Sequence, residues 1–413
     1  MNGNADLAPL DGAHTGAGGV AIHQTAAYAY STAQEMAEVF AGRAPGHIYT
    51  RISNPTTYTL ERRLAELEGG VGCLATSSGM AAIAALALGL LRSGDEIVSA
   101  AGIFGGTISL FRNILGRLGI QTTLVEAGDA AQFRRALTPA TRLLFAETIG
   151  NPRMDVPDIP ALAELARERR LPLVIDSTLT TPALVRPKEL GADIVIHSTT
   201  KFINGHGTAI GGALIDAGTF DWAKGPFPEL RALARNAGGM AFLAHLRMLA
   251  YRDLGGCPAP GNSFLMLQGL ETLEARMQAH CENARKLAER LSGHPGVAWV
   301  NYPGLESSPF HGRVRKFFGG RAGGLLTIGL GEERRAFRFV NALRRARIAA
   351  NLGETRTLVI HPASTIFHEY EAPDRARMGV PEDMVRVSVG IGDFEEILQD
   401  ALQALAASDK EVP

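Results

Sequence analysis

A chain of 413 residues can hold two or three domains with substantial cores, and 46% hydrophobic with 20% charged residues is the balance of a globular protein rather than a disordered or fibrous one. Acidic and basic residues are interspersed and the formal net charge is −1, so neither a basic face that tracks a phosphate backbone nor a nucleic-acid partner is expected. No apolar run reaches the roughly 20 residues that span a bilayer, and no basic stretch followed by an apolar one marks a secretory signal.

In chain order, residues 1–59 are rich in glycine, alanine and small polar residues and read as an extended arm rather than a domain. Asn54-Pro55 starts a helix, a capping side chain followed by proline at the first helical position. Leu60, Leu64 and Leu67 keep helical spacing until Gly69-Gly70 stops it. The alanine-rich run 80–91 reads as a buried helix. Short apolar runs at 96–100, 142–148, 173–176 and 193–197 read as buried strands, with helical patterns between them, among them 160–170. This alternation predicts an α/β domain over residues 60–255, its sheet largely parallel and covered on both faces.

After Gly255-Gly256 the texture changes. A long amphipathic helix is expected over 271–291, with Leu273, Met277, Ala284, Leu287 and Leu291 as its apolar stripe. Strands are expected near 298–302 and 324–330. The basic cluster Arg344-Arg345-Ala346-Arg347 is expected to solvate a helix end and complement its dipole. Asp393 starts the last helix, with Glu396 completing a capping box. Residues 256–413 read as a smaller α+β domain.

Three segments carry chemistry. His197-Ser198-Thr199-Thr200-Lys201-Phe202 follows a strand, and a lysine at the carboxyl end of a parallel strand sits where α/β sheets bind ligands. Ser198 and Thr200 could hydrogen-bond a phosphate; taken alone, Lys201 reads as an ordinary exposed lysine. Ala75-Thr76-Ser77-Ser78-Gly79-Met80 leads into the alanine-rich helix, whose N-terminal N–H groups would suit an anion. The alternative, and the better reading of that segment alone, is a plain serine cap. Asp176 ends a buried strand, either as a carboxylate against the pyridine nitrogen of pyridoxal phosphate (PLP) or as a cap for the next helix.

Two leads go no further. Gly70-Val71-Gly72 lacks the strand and the final glycine of a dinucleotide fingerprint. His206, His361 and His368 lack metal-ligand spacing with Cys73, Cys257 and Cys281, so no metal is expected. Three widely spaced cysteines argue against a disulfide framework and for a reducing cytoplasm.

An anion-binding turn, an acid at a strand end and a lysine about 25 residues further on follow the order of fold-type I PLP enzymes. Over residues 21–406 the chain resembles the Cys/Met-metabolism family of PLP enzymes, which includes cystathionine γ-synthases and γ-lyases, methionine γ-lyases and O-acetylhomoserine sulfhydrylases. The resemblance implies a mostly parallel seven-stranded sheet with helices on both faces, a smaller C-terminal α+β domain, and a homotetramer built from active-site dimers. It implies that Ser78, Gly79, Met80, Ser198 and Thr200 hold the PLP phosphate. Tyr49 and Arg51, in Tyr49-Thr50-Arg51-Ile52-Ser53-Asn54-Pro55-Thr56, would reach the phosphate of the neighbouring subunit, with Tyr49 also near its substrate. Phe104 would stack on the ring, Asn151 face the phenolic oxygen and Asp176 pair with the ring nitrogen. Lys201 would carry the cofactor and move protons. Arg386 would clamp the substrate α-carboxylate as a planar two-pronged donor, with Asn351 beside it; without the resemblance Arg386 reads as a strand residue near a surface.

Within the family, three stretches resemble the O-acetylhomoserine sulfhydrylases: Phe145-Ala146-Glu147-Thr148-Ile149-Gly150-Asn151-Pro152, the run His206 to Gly212 after Lys201-Phe202-Ile203-Asn204-Gly205, and Asn351-Leu352-Gly353-Glu354 ahead of 358–364. Gly106 points the same way, since methionine γ-lyases resembling this chain usually carry cysteine there. The implied reaction is γ-replacement on an O-acylated homoserine by sulfide or a thiol. A γ-lyase, an O-succinylhomoserine sulfhydrylase and a non-catalytic PLP-binding scaffold are the alternatives. The chain departs from the family pattern at Phe104, where most members have tyrosine but O-succinylhomoserine sulfhydrylases resemble it. It departs also at Ser177, Leu179 and Ile366-Phe367-His368.

Overall fold

In the computed structural model, which describes residues 19–409, the helix start at Asn54 takes the form its sequence predicts. Residues 1–18 of the expected arm, and 410–413, lie outside the described residues. The Asn54 side chain caps the helix Pro55–Glu68 by accepting from the N–H groups of Thr56 and Thr57, and Gly69 closes it in the left-handed conformation at φ 67°. Leu60 and Leu64 are buried and Leu67 half-buried. Asn54 also ties the arm down: its Nδ2 donates to His23 O at 2.8 Å, Tyr28 Oη at 2.9 Å and Thr50 Oγ1 at 3.1 Å. Asn54→Ala loses the cap and these buried bonds together. We expect it to cost about 2 kcal/mol, read as a lower urea midpoint, and to speed proteolysis of the segment before residue 54.

The first sheet has seven strands: β1 Gly72–Thr76, β2 Glu96–Ala100, β3 Gln121–Val125, β4 Thr141–Glu147, β5 Leu173–Asp176, β6 Ile194–His197 and β7 Gly212–Asp216. Their order is β1-β7-β6-β5-β4-β2-β3. All neighbours pair in parallel except β7, which runs antiparallel to β1 and β6. The sheet is therefore mostly parallel, as expected. Its strands are apolar because both faces are covered. Along β6, Ile194 and Ile196 join one core, with the helices Gly79–Leu90 and Ile159–Arg169, while Val195 joins the other. That second core holds Leu60 and Leu64 and continues into the C-terminal half through Met277, Leu326 and Val385.

The second sheet, ordered β10-β11-β12-β9-β8, comprises β8 Trp299–Asn301, β9 Leu325–Gly329, β10 Arg347–Ile348, β11 Leu358–Ile360 and β12 Met384–Ser388. Three details differ from the sequence reading. The helix expected over 271–291 forms as Leu273–Leu291, with the stripe Leu273, Met277, Ala284, Leu287 and Leu291 buried as expected, but a further helix, Pro260–Glu271, precedes it and is parted from it at Thr272. The capping box at Asp393 is half made. Asp393 accepts from Glu396 N, but the Glu396 carboxylate turns to Arg345 at 2.6 Å. The basic cluster 344–347 lies past the end of the helix Glu333–Ala342 rather than on its last turn. Its N–H groups at Arg344, Arg345 and Ala346 all donate to Asp400, and Arg347 opens β10.

Candidate active site

The carboxyl ends of β4, β5 and β6 deliver Glu147, Asp176 and the turn Ser198–Lys201 to one edge of the sheet, where open α/β sheets bind ligands. A cavity of about 290 Å³ lies there. The N-terminus of the helix Gly79–Leu90 faces it through Ser78, Gly79 and Met80. Ser78 Oγ accepts from Ala81 N at 3.0 Å, so the plain serine cap is present, on the same turn that lines the cavity. Gly79 is required here: a Cβ on it would meet Ser198 Cβ at 2.8 Å. The helix end and the lysine turn thus close on one another, bringing the helix N-terminus beside the Ser198 and Thr200 hydroxyls. Thr200 Oγ1 is held by Gly211, donating to its O and accepting from its N at 3.0 Å each.

Lys201 Nζ donates to Asn351 Oδ1 at 2.5 Å. Burial, joined by the Arg386 charge, pushes its ammonium down to about 8 against the opposing pull of Glu354. Arg386, in the middle of β12 between β9 and β11, is buried rather than near a surface. Its Nη1 donates to Asn151 Oδ1 at 3.2 Å and its Nη2 to Asn351 O at 3.1 Å, and burial lowers it to about 10.

Glu147 and Asp176 are direct neighbours in the β4–β5 register, and both are buried. Burial pushes Glu147 well above the ordinary carboxylate range, and the Asp176 charge adds to the shift. Burial raises Asp176 too, against the hydrogen bonds from Thr178. Glu147 Oε1 accepts from Phe104 N at 2.7 Å, which anchors the segment carrying the Phe104 ring. That ring, 37% exposed, lies at the cavity wall, and a Cβ on Gly106 would meet its Cε1 at 2.5 Å. Any side chain at position 106 would therefore displace Phe104.

The structure brings Ser78, Gly79, Met80, Phe104, Asn151, Asp176, Ser198, Thr200, Lys201, Asn351 and Arg386 to this one cavity. It does not bring Tyr49 or Arg51 there. Tyr49 is 42% exposed, and Arg51 lies 5.4 Å above its ring and donates to Arg252 O. Glu147, Thr178 and Glu354 carried no role in the sequence reading. Glu147 pairs in register with Asp176. Thr178 donates from its N to Asp176 Oδ1 and accepts from Ser198 N through Oγ1, joining the two strand ends. Glu354 accepts from Asn351. Glu147 and Glu354 stand inside quoted sulfhydrylase-like stretches, and only the register and the loop contacts reveal what they touch.

The donor set suits PLP. The buried carboxyl of Asp176 at the end of β5 suits a protonated ring nitrogen, a helix N-terminus closed against a hydroxyl-bearing turn suits a phosphate, and an amine titrating near 8 suits a carbonyl carbon.

Comparison with known proteins agrees. A family model described as Cys/Met metabolism PLP-dependent enzyme matches residues 8–406. The O-acetyl-L-homoserine sulfhydrylase of Leptospira meyeri is 40% identical, over 94% of this chain and 92% of its own. The homocysteine synthase of Schizosaccharomyces pombe is 41% identical over 95% of both chains. A Campylobacter jejuni crystal structure, described as that of an O-acetylhomoserine (thiol)-lyase holding a pyridoxyl-lysine phosphate, superposes with a TM-score of 0.88 at 33% identity, over 94% of this chain and 95% of that one. The chain belongs to the Cys/Met-metabolism family of PLP-dependent enzymes.

Proposed function

We propose that the enzyme replaces the acyl group of an O-acylated homoserine, O-acetylhomoserine first, with sulfide or a thiol. A C–S bond forms at Cγ, the C–O bond breaks, and acetate leaves with the bonding pair, giving homocysteine or a thioether amino acid. The observation that carries this reading is the 40–41% identity, along nearly the whole chain, to relatives named for that chemistry.

In this reading Ser78, Gly79, Met80, Ser198 and Thr200 hold the PLP phosphate, Asn151 faces its phenolic oxygen, Asp176 pairs with its ring nitrogen and Lys201 binds its carbonyl carbon. When bound, PLP supplies the electron sink for charge developing at substrate Cα. Arg386 binds the α-carboxylate by its planar fork. Lys201, an amine that loses its proton near pH 8, takes the Cα proton and hands it on. Leu352, Ile366 and Phe104 give the cavity an apolar side next to the reacting carbons.

Purified enzyme with PLP and O-acetylhomoserine should form homocysteine only when sulfide is added. Appearance of 2-oxobutanoate regardless of sulfide would make it a γ-lyase instead, and a higher kcat/KM for O-succinylhomoserine would change the acyl group. A second expectation concerns pH. Only the neutral amine attacks a carbonyl, and a lowered ammonium pKa supplies that form as pH rises through about 8. The rate at which apoenzyme captures PLP, followed by absorbance, should therefore climb with a midpoint near 8; a midpoint above 10 would mean Lys201 is an ordinary exposed lysine.

The reading extends to assembly: a cytoplasmic homotetramer of active-site dimers, with an arm (1–59), a PLP domain (60–255) and a C-terminal domain (256–413). Exposed Tyr49 and Arg51, with Ile22, Met36 and Phe40 exposed on the same arm, support the arm's reaching a second copy. Sedimentation velocity tests it, since a monomer would rule the shared site out. No described helix is long and apolar enough to cross a membrane.

A further inference from the structure

Lys201 and Glu354 are joined through one amide. Lys201 Nζ donates to Asn351 Oδ1 at 2.5 Å, Asn351 Nδ2 donates to Glu354 Oε1 at 3.0 Å, and Glu354 Oε2 accepts from Arg356 Nη2 at 2.6 Å. An asparagine amide has one accepting end and one donating end. A carboxylate can only accept, and a lysine ammonium can only donate. The pattern therefore has a single solution, with the amide oxygen toward the lysine. We propose that Glu354 is a positioning residue for Lys201: by accepting from Asn351 it locks the amide with its oxygen toward the lysine, and so fixes where the free amine stands relative to the substrate carbons. The proposal rests on reading Lys201 as the PLP lysine.

The carboxylate cannot drift from this task. Glu354 is 8% exposed. Its loop is pinned to the lysine segment by Thr355 N donating to Gly205 O at 2.9 Å, and to β12 by Gly353 N donating to Ser388 Oγ at 2.9 Å. Gly207, at φ +68°, leaves the room the carboxylate fills, since a Cβ there would collide with it. Arg386 holds the Asn351 backbone oxygen at 3.1 Å, so only the side-chain amide is left to turn.

Glu354→Gln keeps the shape and reverses the logic. Arg356 claims the new amide's oxygen, its NH2 then faces Asn351, and the asparagine must turn its oxygen away from Lys201. The negative charge near the ammonium is lost as well. Adding Asn351→Asp to Glu354→Gln restores the pattern: the new carboxylate accepts from Lys201 on one side and from the new amide's NH2 on the other, while Arg356 still finds an oxygen.

The test measures the pH midpoint of PLP capture by apoenzyme, and kcat of the holoenzyme, for Glu354→Gln and for the double substitution. Glu354→Gln should move the midpoint below that of the unchanged protein and lower kcat about a hundredfold. The double substitution should raise the midpoint again and recover most of the lost kcat. A Glu354→Gln protein with both quantities unchanged, or a double substitution as impaired as the single one, overturns the proposal. Should Glu354→Gln not fold, Asn351→Asp alone sets two carboxylates face to face beside the lysine and should raise the midpoint; an unmoved midpoint overturns it. If Lys201→Ala keeps the cofactor's absorbance band, the reading of Lys201 fails and the proposal with it. An unchanged Glu354→Gln removes the proposal alone.

Discussion

Lys201→Ala is expected to abolish the visible absorbance of bound PLP and to lower homocysteine formation about ten-thousandfold. Two losses combine. The lysine turn no longer offers a nucleophile to the cofactor's carbonyl carbon, and among the described residues no other amine lines the cavity to move the Cα proton. The neighbouring cation, Arg386, is a guanidinium lowered only to about 10, so it keeps its proton at neutral pH. Truncation leaves Asn351 Oδ1 without its donor, at the cost of a single hydrogen bond. The variant should fold, and a primary amine added to the buffer should restore part of the rate by occupying the space the side chain leaves. A variant within tenfold of the unchanged enzyme would show that Lys201 is not the proton carrier.

Arg386→Leu is the second large effect. The guanidinium is buried, and two of its nitrogens already hold Asn151 Oδ1 and Asn351 O, so its fork is fixed before substrate arrives. Charge-assisted hydrogen bonds are worth about 1.5–3 kcal/mol each. Losing a two-pronged grip on the α-carboxylate should raise KM about a hundredfold or more, with a smaller fall in kcat, because the carboxylate is bound before and during the reaction alike. Arg386→Lys should recover little of this, since a point charge does not replace the planar fork. Retained PLP absorbance would separate lost substrate binding from lost folding. A KM within threefold for Arg386→Leu would assign the carboxylate to another cation.

Local chemistry made much of this protein legible in its sequence. Asn54 and Pro55 announce a helix start, and Gly69 its end, because capping and left-handed backbone are properties of a few adjacent residues. The strands Glu96–Ala100 and Leu173–Asp176 follow from short apolar runs that only a sheet covered on both faces can bury. Ser198, Thr200 and Lys201 could be singled out because they crowd one turn after such a strand. The resemblance to a family supplied what no local pattern holds, namely that Asn151, Asn351 and Arg386, up to 235 residues apart, belong to the same place.

The tertiary structure decided the rest. The antiparallel course of β7, the burial of Arg386 between β9 and β11, and the placing of Glu147 against Asp176 are matters of strand order and register. Shifting a pairing by one residue would turn every side chain to the other face without changing a letter of the sequence. Glu354 is linked to Lys201 through Asn351 only because the loop 351–356 is laid across the lysine segment by bonds spanning 150 residues. Apolar periodicity dictates that an element forms and which face it buries. Which polar groups then meet, and whose proton each one holds, is set by the packing of elements far apart in the chain.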